Sequence, residues 1–274
     1  MKKIFSIFTL FVAILSFSSC SEKSERMSNV TFNAHISDLE IDVKSSNISG
    51  EYKLLVGIFQ DGKQLSIVNF PVNADGTANA VLSLVSDQTY DLVFWAQGKN
   101  ARYITDDLSC IKLPTDIEDL TLSASKQYDA FYALEEGINF SGSITKDVHL
   151  ERVVGLLNIL SPEAVAVNSF KGTKLSYTSF SSFKPFDGVY GDECVMEQFI
   201  KFPSTGQEEF LLTEKIGNQN CTVLANGYFF SADKIDRNVE VTTYKLDGTE
   251  LKKTVLTSVP FEGNKRTNIV GNFL

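Results

Sequence analysis

The stretch Val30–Ile36, VTFNAHI, decides the fold, because apolar and polar residues alternate along it. Every second residue from Val30 onward is apolar, and the residues between them, Thr31, Asn33 and His35, are polar. A period of two is typical of a β-strand that buries one face and exposes the other. The stretch therefore predicts a half-buried strand near the N-terminus.

Strand and turn signals continue through the first half of the chain. The alternation resumes at Leu39–Val43. Asp61-Gly62 then separates two strand-like runs, Tyr52–Phe59 and Gln64–Phe70, and Asp-Gly in that position is a strong hairpin signal. Tyr90–Ala96, YDLVFWA, is apolar almost throughout, which predicts a strand buried on both faces.

The second half has the same organisation. Its predicted strands are Val148–Leu160, Asn226–Ala232, and a pair, Val239–Leu246 and Leu251–Val259, joined through Asp247-Gly248. Ser161-Pro162-Glu163 has the residues of a helix start and predicts a short helix. Strands at this spacing with turn residues between them predict an all-β fold of two β-sandwich domains in tandem, divided near Gly142–Lys146.

The N-terminus has the features of an export signal. Lys2 and Lys3 precede the uncharged run Ile4–Phe17, which is short for a membrane span and suits a signal peptide. Small residues then lead into Cys20. This arrangement resembles a bacterial lipobox, in which the cysteine thiol receives a diacylglycerol and becomes the first residue of the mature protein. The match departs at Phe17, where leucine is usual, and a secreted protein with a chance cysteine is the alternative.

These features divide the chain into four parts. Residues Ser21–Arg26 contain no apolar side chain and predict a flexible tether. A lipid on Cys20 would hold the protein at the outer membrane without crossing it, with its folded part exposed at the cell surface. The predicted parts are a lipoprotein signal peptide (1–19), a tether (20–29), an N-terminal β-sandwich domain (30–145) and a C-terminal one (146–274).

Composition excludes some partners. Without the signal peptide the chain keeps 23 basic and 34 acidic residues, a net charge of −11. That charge argues against nucleic acid and against an anionic membrane surface as partners. Beyond Cys20 the cysteines are Cys110, Cys194 and Cys221. They have neither a CxxC spacing nor a neighbouring histidine, so zinc is not expected; a Cys194–Cys221 disulfide and three free thiols remain alternatives.

No residue pattern predicts catalysis, a cofactor or a metal. His35 and His149 are the only histidines, and each fits a solvated position on an alternating strand. The acidic clusters Asp106-Asp107 and Asp116/Glu118/Asp119 lack the spacing of a calcium loop. Glu135 and Glu136 are adjacent on a strand and point to opposite faces. We therefore expect that the protein is not an enzyme.

One stretch, Ser176–Glu193 (SYTSFSSFKPFDGVYGDE), is rich in aromatic residues. They recur every three or four positions: Tyr177, Phe180, Phe183, Phe186 and Tyr190. Exposed aromatic rings could stack on sugars, which predicts a carbohydrate-binding surface lipoprotein of a glycan-uptake system. Large aromatic side chains are more often buried, so we favour the interpretation that these rings cover a sandwich core.

Several segments in order resemble the fimbrillin-like lipoproteins of Bacteroidales, which build type V pili. The matching segments, from Tyr90 to the end of the chain, are YDLVFWAQ (90–97), DAFYA (129–133), LERVVGLLNI (150–159), YTSFSSFKPFDG (177–188), NGYFFSA (226–232) and NKRTNIVGNFL (264–274). The resemblance implies two transthyretin-like β-sandwich domains and a structural role among other pilus subunits. It also implies polymerisation by strand exchange, in which the groove of one subunit accepts an extended strand from its neighbour.

Two departures from the family pattern favour an anchor, capping or accessory subunit over a shaft subunit. Shaft subunits are cut by a trypsin-like protease after an arginine that follows the first strand, and here no arginine lies between Arg26 and Arg102. The sequence ends at Leu274, directly after the final-strand motif, without an obvious extra donor segment. We therefore expect a fimbrial protein acting in adhesion or pilus assembly that keeps its lipid and its first strand.

Overall fold

The computed structural model describes residues 26–36 and 52–274, and these form an all-β protein, as predicted. Within these residues helix is confined to one α-helical turn, α1 (Leu122–Ser125), and two 3₁₀ turns, Lys126–Tyr128 and Glu208–Phe210. No helix there is long and apolar enough to span a membrane. The predicted strand Leu39–Val43 and the lipidation residue Cys20 lie outside the described residues.

The first half supplies nine strands. They are β1 (Met27–Ile36), β2 (Tyr52–Gln60), β3 (Lys63–Pro71), β4 (Thr77–Val85), β5 (Thr89–Gly98), β6 (Ile111–Lys112), β7 (Asp116–Thr121), β8 (Ala130–Asn139) and β9 (Ile144–Arg152). Seven of them form one sheet in the order β3-β2-β5-β8-β9-β1-β4. β8 and β9 are joined only through Phe131↔Arg152 and Tyr132↔Glu151, and the sheet bends there into two layers.

The two layers face each other across a buried core. Phe32 of β1 meets Phe94 of β5 with ring centroids 5.2 Å apart. Inward residues of β1, β2, β4, β5 and β9 fill the space between the layers. Burying one face of each strand in this way is the main source of stability for a β-sandwich.

Turn chemistry and burial confirm two predictions in this sheet. Asp61 and Gly62, with φ of 50° and 72°, connect β2 to β3, as a tight hairpin requires. β5 is buried on both faces: Phe94 faces the core between the layers, whereas Trp95 faces away and packs on Tyr103 at 5.3 Å.

The second half forms two further sheets that pack on each other. Its strands are β10 (Val154–Ser161), β11 (Gly172–Phe180), β12 (Ser182–Lys184), β13 (Val189–Tyr190), β14 (Glu193–Lys201), β15 (Thr213–Ile216), β16 (Gln219–Phe230), β17 (Ile235–Tyr244), β18 (Glu250–Phe261) and β19 (Arg266–Val270). The two sheets that pack on each other have the orders β15-β16-β10-β19 and β18-β17-β11-β14-β7, and β13, β12 and β6 form a further small sheet. Tyr177 of β11 joins them, since its hydroxyl donates to the carbonyl of Tyr228 at 2.9 Å.

Strand pairing does not follow the boundaries drawn from the sequence. Residues 27–29, assigned to the tether, are part of β1, where Ser28 is buried and its hydroxyl lies 2.6 Å from that of Ser86. The boundary between 145 and 146 falls inside β9, which pairs with β1 and β8 of the first sheet. Conversely, β7 pairs with β14 of the second half. The predicted strand Val148–Leu160 is divided at Val153, where the chain passes from one sheet to another.

The short helix predicted at Ser161-Pro162-Glu163 is not formed. Ser161 ends β10, and its hydroxyl does accept from the amide of Glu163 at 3.3 Å. The following residues are hydrogen-bonded to β16 instead. The hydroxyl of Thr222 accepts from the amide of Val165 at 3.1 Å and donates to the carbonyl of Glu163 at 3.1 Å. Tertiary hydrogen bonds thus override a local helix signal.

Candidate functional site

The first strand occupies a slot between two other strands. β1 runs parallel to β9, with Val30 opposite Ile144, and antiparallel to β4, with Val30 opposite Leu82. The ladders extend along most of β1 on both edges. β1 is therefore an inserted middle strand, although it comes first in the chain, and this slot is the candidate functional site.

The inner face of β1 supplies apolar side chains to the core. Val30 and Phe32 are fully buried, and Ala34 is 2% exposed. Without β1, the polar main-chain groups of β9 and β4 would lose their partners and the pockets for these three side chains would be empty. An unpaired groove with alternating apolar pockets is the geometry that accepts an extended strand from another chain.

The outer face of β1 is tied to both neighbours by a polar ladder. Asn33 donates to Asp147 of β9 at 2.9 Å and accepts from Asn79 of β4 at 3.3 Å. Ser83 of β4 donates to Asn29 at 2.7 Å. Because a slip of one residue would exchange the two faces of the strand, these bonds and the buried inner face specify the same register.

The neighbouring strand β9 is fixed at its end by a buried ion pair. Arg152 donates from Nε and from one terminal nitrogen to the two carboxylate oxygens of Asp129, both at 2.7 Å. The side chains are 6% and 7% exposed, and the guanidinium lies 5.2 Å from the ring centre of Phe131. Burial raises the pKa of Asp129, and Arg152 opposes that shift. The pair joins two segments of the family resemblance, DAFYA and LERVVGLLNI.

The aromatic stretch is part of the core, as favoured above. Phe183 is 2% exposed and packs on Tyr132 with ring centroids 4.6 Å apart. Phe186 packs on Phe59 at 4.8 Å. Burial raises the pKa of Tyr190 to about 12. Phe180, Phe186 and Tyr190 are partly buried against the same core, so the stretch contributes to core packing and does not form an exposed row of rings for a sugar.

The acidic candidates do not form a metal site, although Asp116 and Glu118 line one pocket together with Glu197. Asp107 caps its own turn by accepting from the amide of Ser109 at 2.8 Å. Glu135 pairs with Lys146 of β9. In the part of the chain that the structure describes, no group of three or more His, Cys, Asp or Glu side chains is arranged to hold a metal.

Of the two alternatives for the cysteines, a disulfide or three free thiols, the structure has the free thiols. Cys110, Cys194 and Cys221 are all free thiols, with Cys221 buried and the other two partly buried. Burial raises the pKa of the Cys194 thiol, so that thiol is kept in its less reactive neutral form.

The structure brings together two histidines that no sequence pattern connects. His35 of β1 lies opposite His149 of β9 in the parallel register. Their rings stack with centroids 5.2 Å apart and an interplanar angle of 22°. Only the pairing of β1 with β9 makes them neighbours, and the sequence contains no signal for that pairing.

Several solved structures are similar to this chain at low sequence identity. The fimbrial anchor protein Mfa2 from Porphyromonas gingivalis is 17% identical with a TM-score of 0.45, covering 85% of this chain and 83% of that one. A candidate adhesin from Bacteroides ovatus is 9% identical with a TM-score of 0.49, covering 91% and 94%. A candidate polysaccharide-binding protein (DUF1812) from Bacteroides thetaiotaomicron is 13% identical with a TM-score of 0.47, covering 82% and 79%.

Fimbrial and adhesion proteins are thus among the solved structures to which this chain is similar, as the sequence resemblance predicted. No curated protein matches the chain. One family model covers nearly all of it, from residue 21 to residue 274. The chain therefore belongs to that family, which is described as a family of unknown function, DUF6562.

Proposed function

We propose that this protein is a structural component of a cell-surface fimbria, acting as an anchor, capping or accessory subunit rather than as an enzyme. The observation that carries the proposal is the position of β1, which fills a slot between β9 and β4 with buried side chains on one face. A strand held in this way completes its own sandwich and closes the groove through which strand complementation would take place.

Retention of β1 supports a terminal role in a fimbria. Lys44 is the only basic residue between Ile36 and Tyr52, so this stretch offers no arginine to a protease of the kind that matures the shaft subunits. The final strand is also paired within the protein: β19 pairs with β10, and Phe273, which follows β19 in the sequence, is buried. With both strands engaged in its own fold, the protein is suited to bind other subunits at the end of an assembly.

A lipid on Cys20 completes the proposal. The thiol would carry the membrane anchor, and the polar residues Ser21–Arg26 would connect it to β1 at the outer-membrane surface. Mass spectrometry of the mature N-terminus from native outer membrane tests both claims. We expect a diacylglyceryl-modified Cys20 with β1 retained; an unlipidated N-terminus beyond Ile36 would instead indicate a processed, polymerising subunit.

The slot itself can be tested by exchange. A site for a specific protease is inserted between Ser45 and Ser46 of the full chain, and the cut protein is incubated with a labelled peptide of residues 27–36. We expect the peptide to displace β1 slowly and to remain bound through size-exclusion chromatography. A peptide carrying Phe32→Asp should not bind, because the substitution puts a charge into the core, whereas Thr31→Asp on the outer face should be tolerated.

Carbohydrate binding remains the second candidate function, at a different place from the aromatic stretch. A pocket of about 340 Å³ on the outer face of β11, β14 and β17 is lined in part by Phe199 and Tyr244, whose ring centroids are 5.8 Å apart. The ion pair Lys174–Glu197, at 2.9 Å, supplies polar groups beside them. A glycan array that compares the wild type with Tyr244→Ala tests this candidate function. If the wild type binds no glycan on the array, carbohydrate binding is ruled out as a function of this pocket.

A further inference from the structure

We infer that His35 and His149 form a binding site for a divalent transition-metal ion that bridges β1 and β9. The two rings come from adjacent parallel strands at one register position and lie with centroids 5.2 Å apart. Imidazole nitrogen is a preferred ligand of Zn²⁺, Ni²⁺ and Cu²⁺. The site depends only on the pairing of these strands and does not rest on the proposed fimbrial role.

The geometry of the pair suits chelation. A metal–nitrogen distance of about 2.0–2.1 Å requires the two ligating nitrogens to come within roughly 3–3.5 Å of each other. His149 is exposed and the side chain of His35 is 40% exposed, so both rings can turn about their side-chain bonds towards one ion. Two protein nitrogens then hold the metal, and water fills its remaining positions.

The surroundings of the pair favour a cation. The carboxylate of Asp147 lies 4.0 Å from Nε2 of His35, and Asp75 in the turn before β4 interacts electrostatically with the same histidine. Both rings stand on the solvent side of the layer, opposite the core residues Ala34 and Val148. A bound ion would therefore be reached from solvent without any opening of the sandwich.

The consequence of binding is a link between two strands. Because the ion can be held by both histidines only while β1 is seated beside β9, binding stabilises the seated state over any state in which β1 has left. The metal would slow the release of β1 without touching the hydrophobic core. This coupling gives the experiment a readout that is independent of affinity.

Isothermal titration tests the site with Zn²⁺, Ni²⁺ and Mg²⁺ on the full chain purified without a histidine tag. We expect one Zn²⁺ or Ni²⁺ per chain, no binding of Mg²⁺, and affinity at least tenfold weaker in His35→Ala and in His149→Ala. Thr145→Ala, on the same face of β9, is the matched control and should bind like the wild type. Unchanged affinity in the double histidine variant would overturn the site and point to the thiols.

Hydrogen exchange tests the link between the strands. Saturating Zn²⁺ should slow exchange of β1 amides in the wild type and leave them unchanged in His149→Ala, in which only the ligand on β9 is lost. Equal slowing in both proteins would show that the ion does not bridge β1 and β9. An absence of Zn²⁺ and Ni²⁺ binding by the wild type at millimolar metal would likewise refute the inference.

Discussion

Two strands from opposite ends of the chain, β1 and β19, each have a parallel neighbour in their sheet, but they are held very differently. β1 has ladder partners on both edges and buries Val30, Phe32 and Ala34. Among the residues that the structure describes, β19 pairs with β10 alone, and its Val270 is 40% exposed. A middle strand that fills a core and an edge strand that extends a sheet therefore contribute different amounts to stability, although both are terminal in sequence.

The largest expected effect is on the core contact of β1. Phe32→Ala removes a fully buried ring that packs on Phe94 at 5.2 Å, and we expect it to lower the free energy of unfolding by about 3–5 kcal/mol. The matched change on β19, Val270→Ala, should cost less than about 1 kcal/mol, because that side chain is 40% exposed. Urea denaturation of both variants measures the difference, and similar losses would contradict it.

A second prediction concerns the ion pair that fixes β9. Asp129→Asn leaves the buried guanidinium of Arg152 without its counter-charge, so we expect a loss of about 3 kcal/mol. Because β9 is the parallel neighbour of β1, hydrogen exchange should accelerate in β1 more than in β19. Equal acceleration in the two strands would show that the pair stabilises the whole molecule and not this layer.

The corresponding ion pair on β19 should matter less. Arg266 meets Glu214 of β15 at 3.1 Å, and the two side chains are 22% and 24% exposed. Partial hydration of this pair reduces both the attraction and the cost of breaking it, so Arg266→Met should lower the free energy of unfolding by about 0.5–1 kcal/mol. Thermal or urea unfolding measures both variants. Equal losses in the free energy of unfolding for Arg266→Met and Asp129→Asn would contradict the contrast between the two strands.

The smallest expected effect is on the aspartate pKa in two similar turns, one in each half of the chain. The hydroxyl and amide of Thr77 donate to Asp75 at 2.6 and 3.0 Å, and the amide and hydroxyl of Thr249 donate to Asp247 at 2.8 and 2.7 Å. These hydrogen bonds lower the pKa of each aspartate below its ordinary value of 3.8.

Because the aspartate pKa is lower in the folded protein than in the unfolded one, the ionised carboxylate stabilises the fold at pH values above the ordinary aspartate pKa. That contribution is lost as the pH falls through the lower pKa of the folded state. Thr77→Val and Thr249→Val each remove one donor, so both aspartates should titrate closer to 3.8 in NMR. A shift at only one turn would show that the two turns are not equivalent.

The sequence located several of the strands but not their partners. Alternation located β1, and Asp61-Gly62 located the β2–β3 hairpin, because both signals are local. The pairing of β1 with β9 and the Asp129–Arg152 contact could not be derived from spacing, since neither leaves a periodic trace. For the same reason the sequence alone gives His35 and His149 only as separate solvated residues. Cys20, the one site residue named from the sequence, lies outside the described residues.

The location of β1 also has a consequence for the order of folding. Asn33 lies 46 residues from its hydrogen-bonding partner on β4 and 114 residues from its partner on β9. In a chain that is exported N-terminus first, as the proposed signal peptide requires, β1 can pair with β4 in the interval before β9 has crossed. The β9 side of the slot is therefore the last to close, and it is during that interval that a competing strand would have access to it.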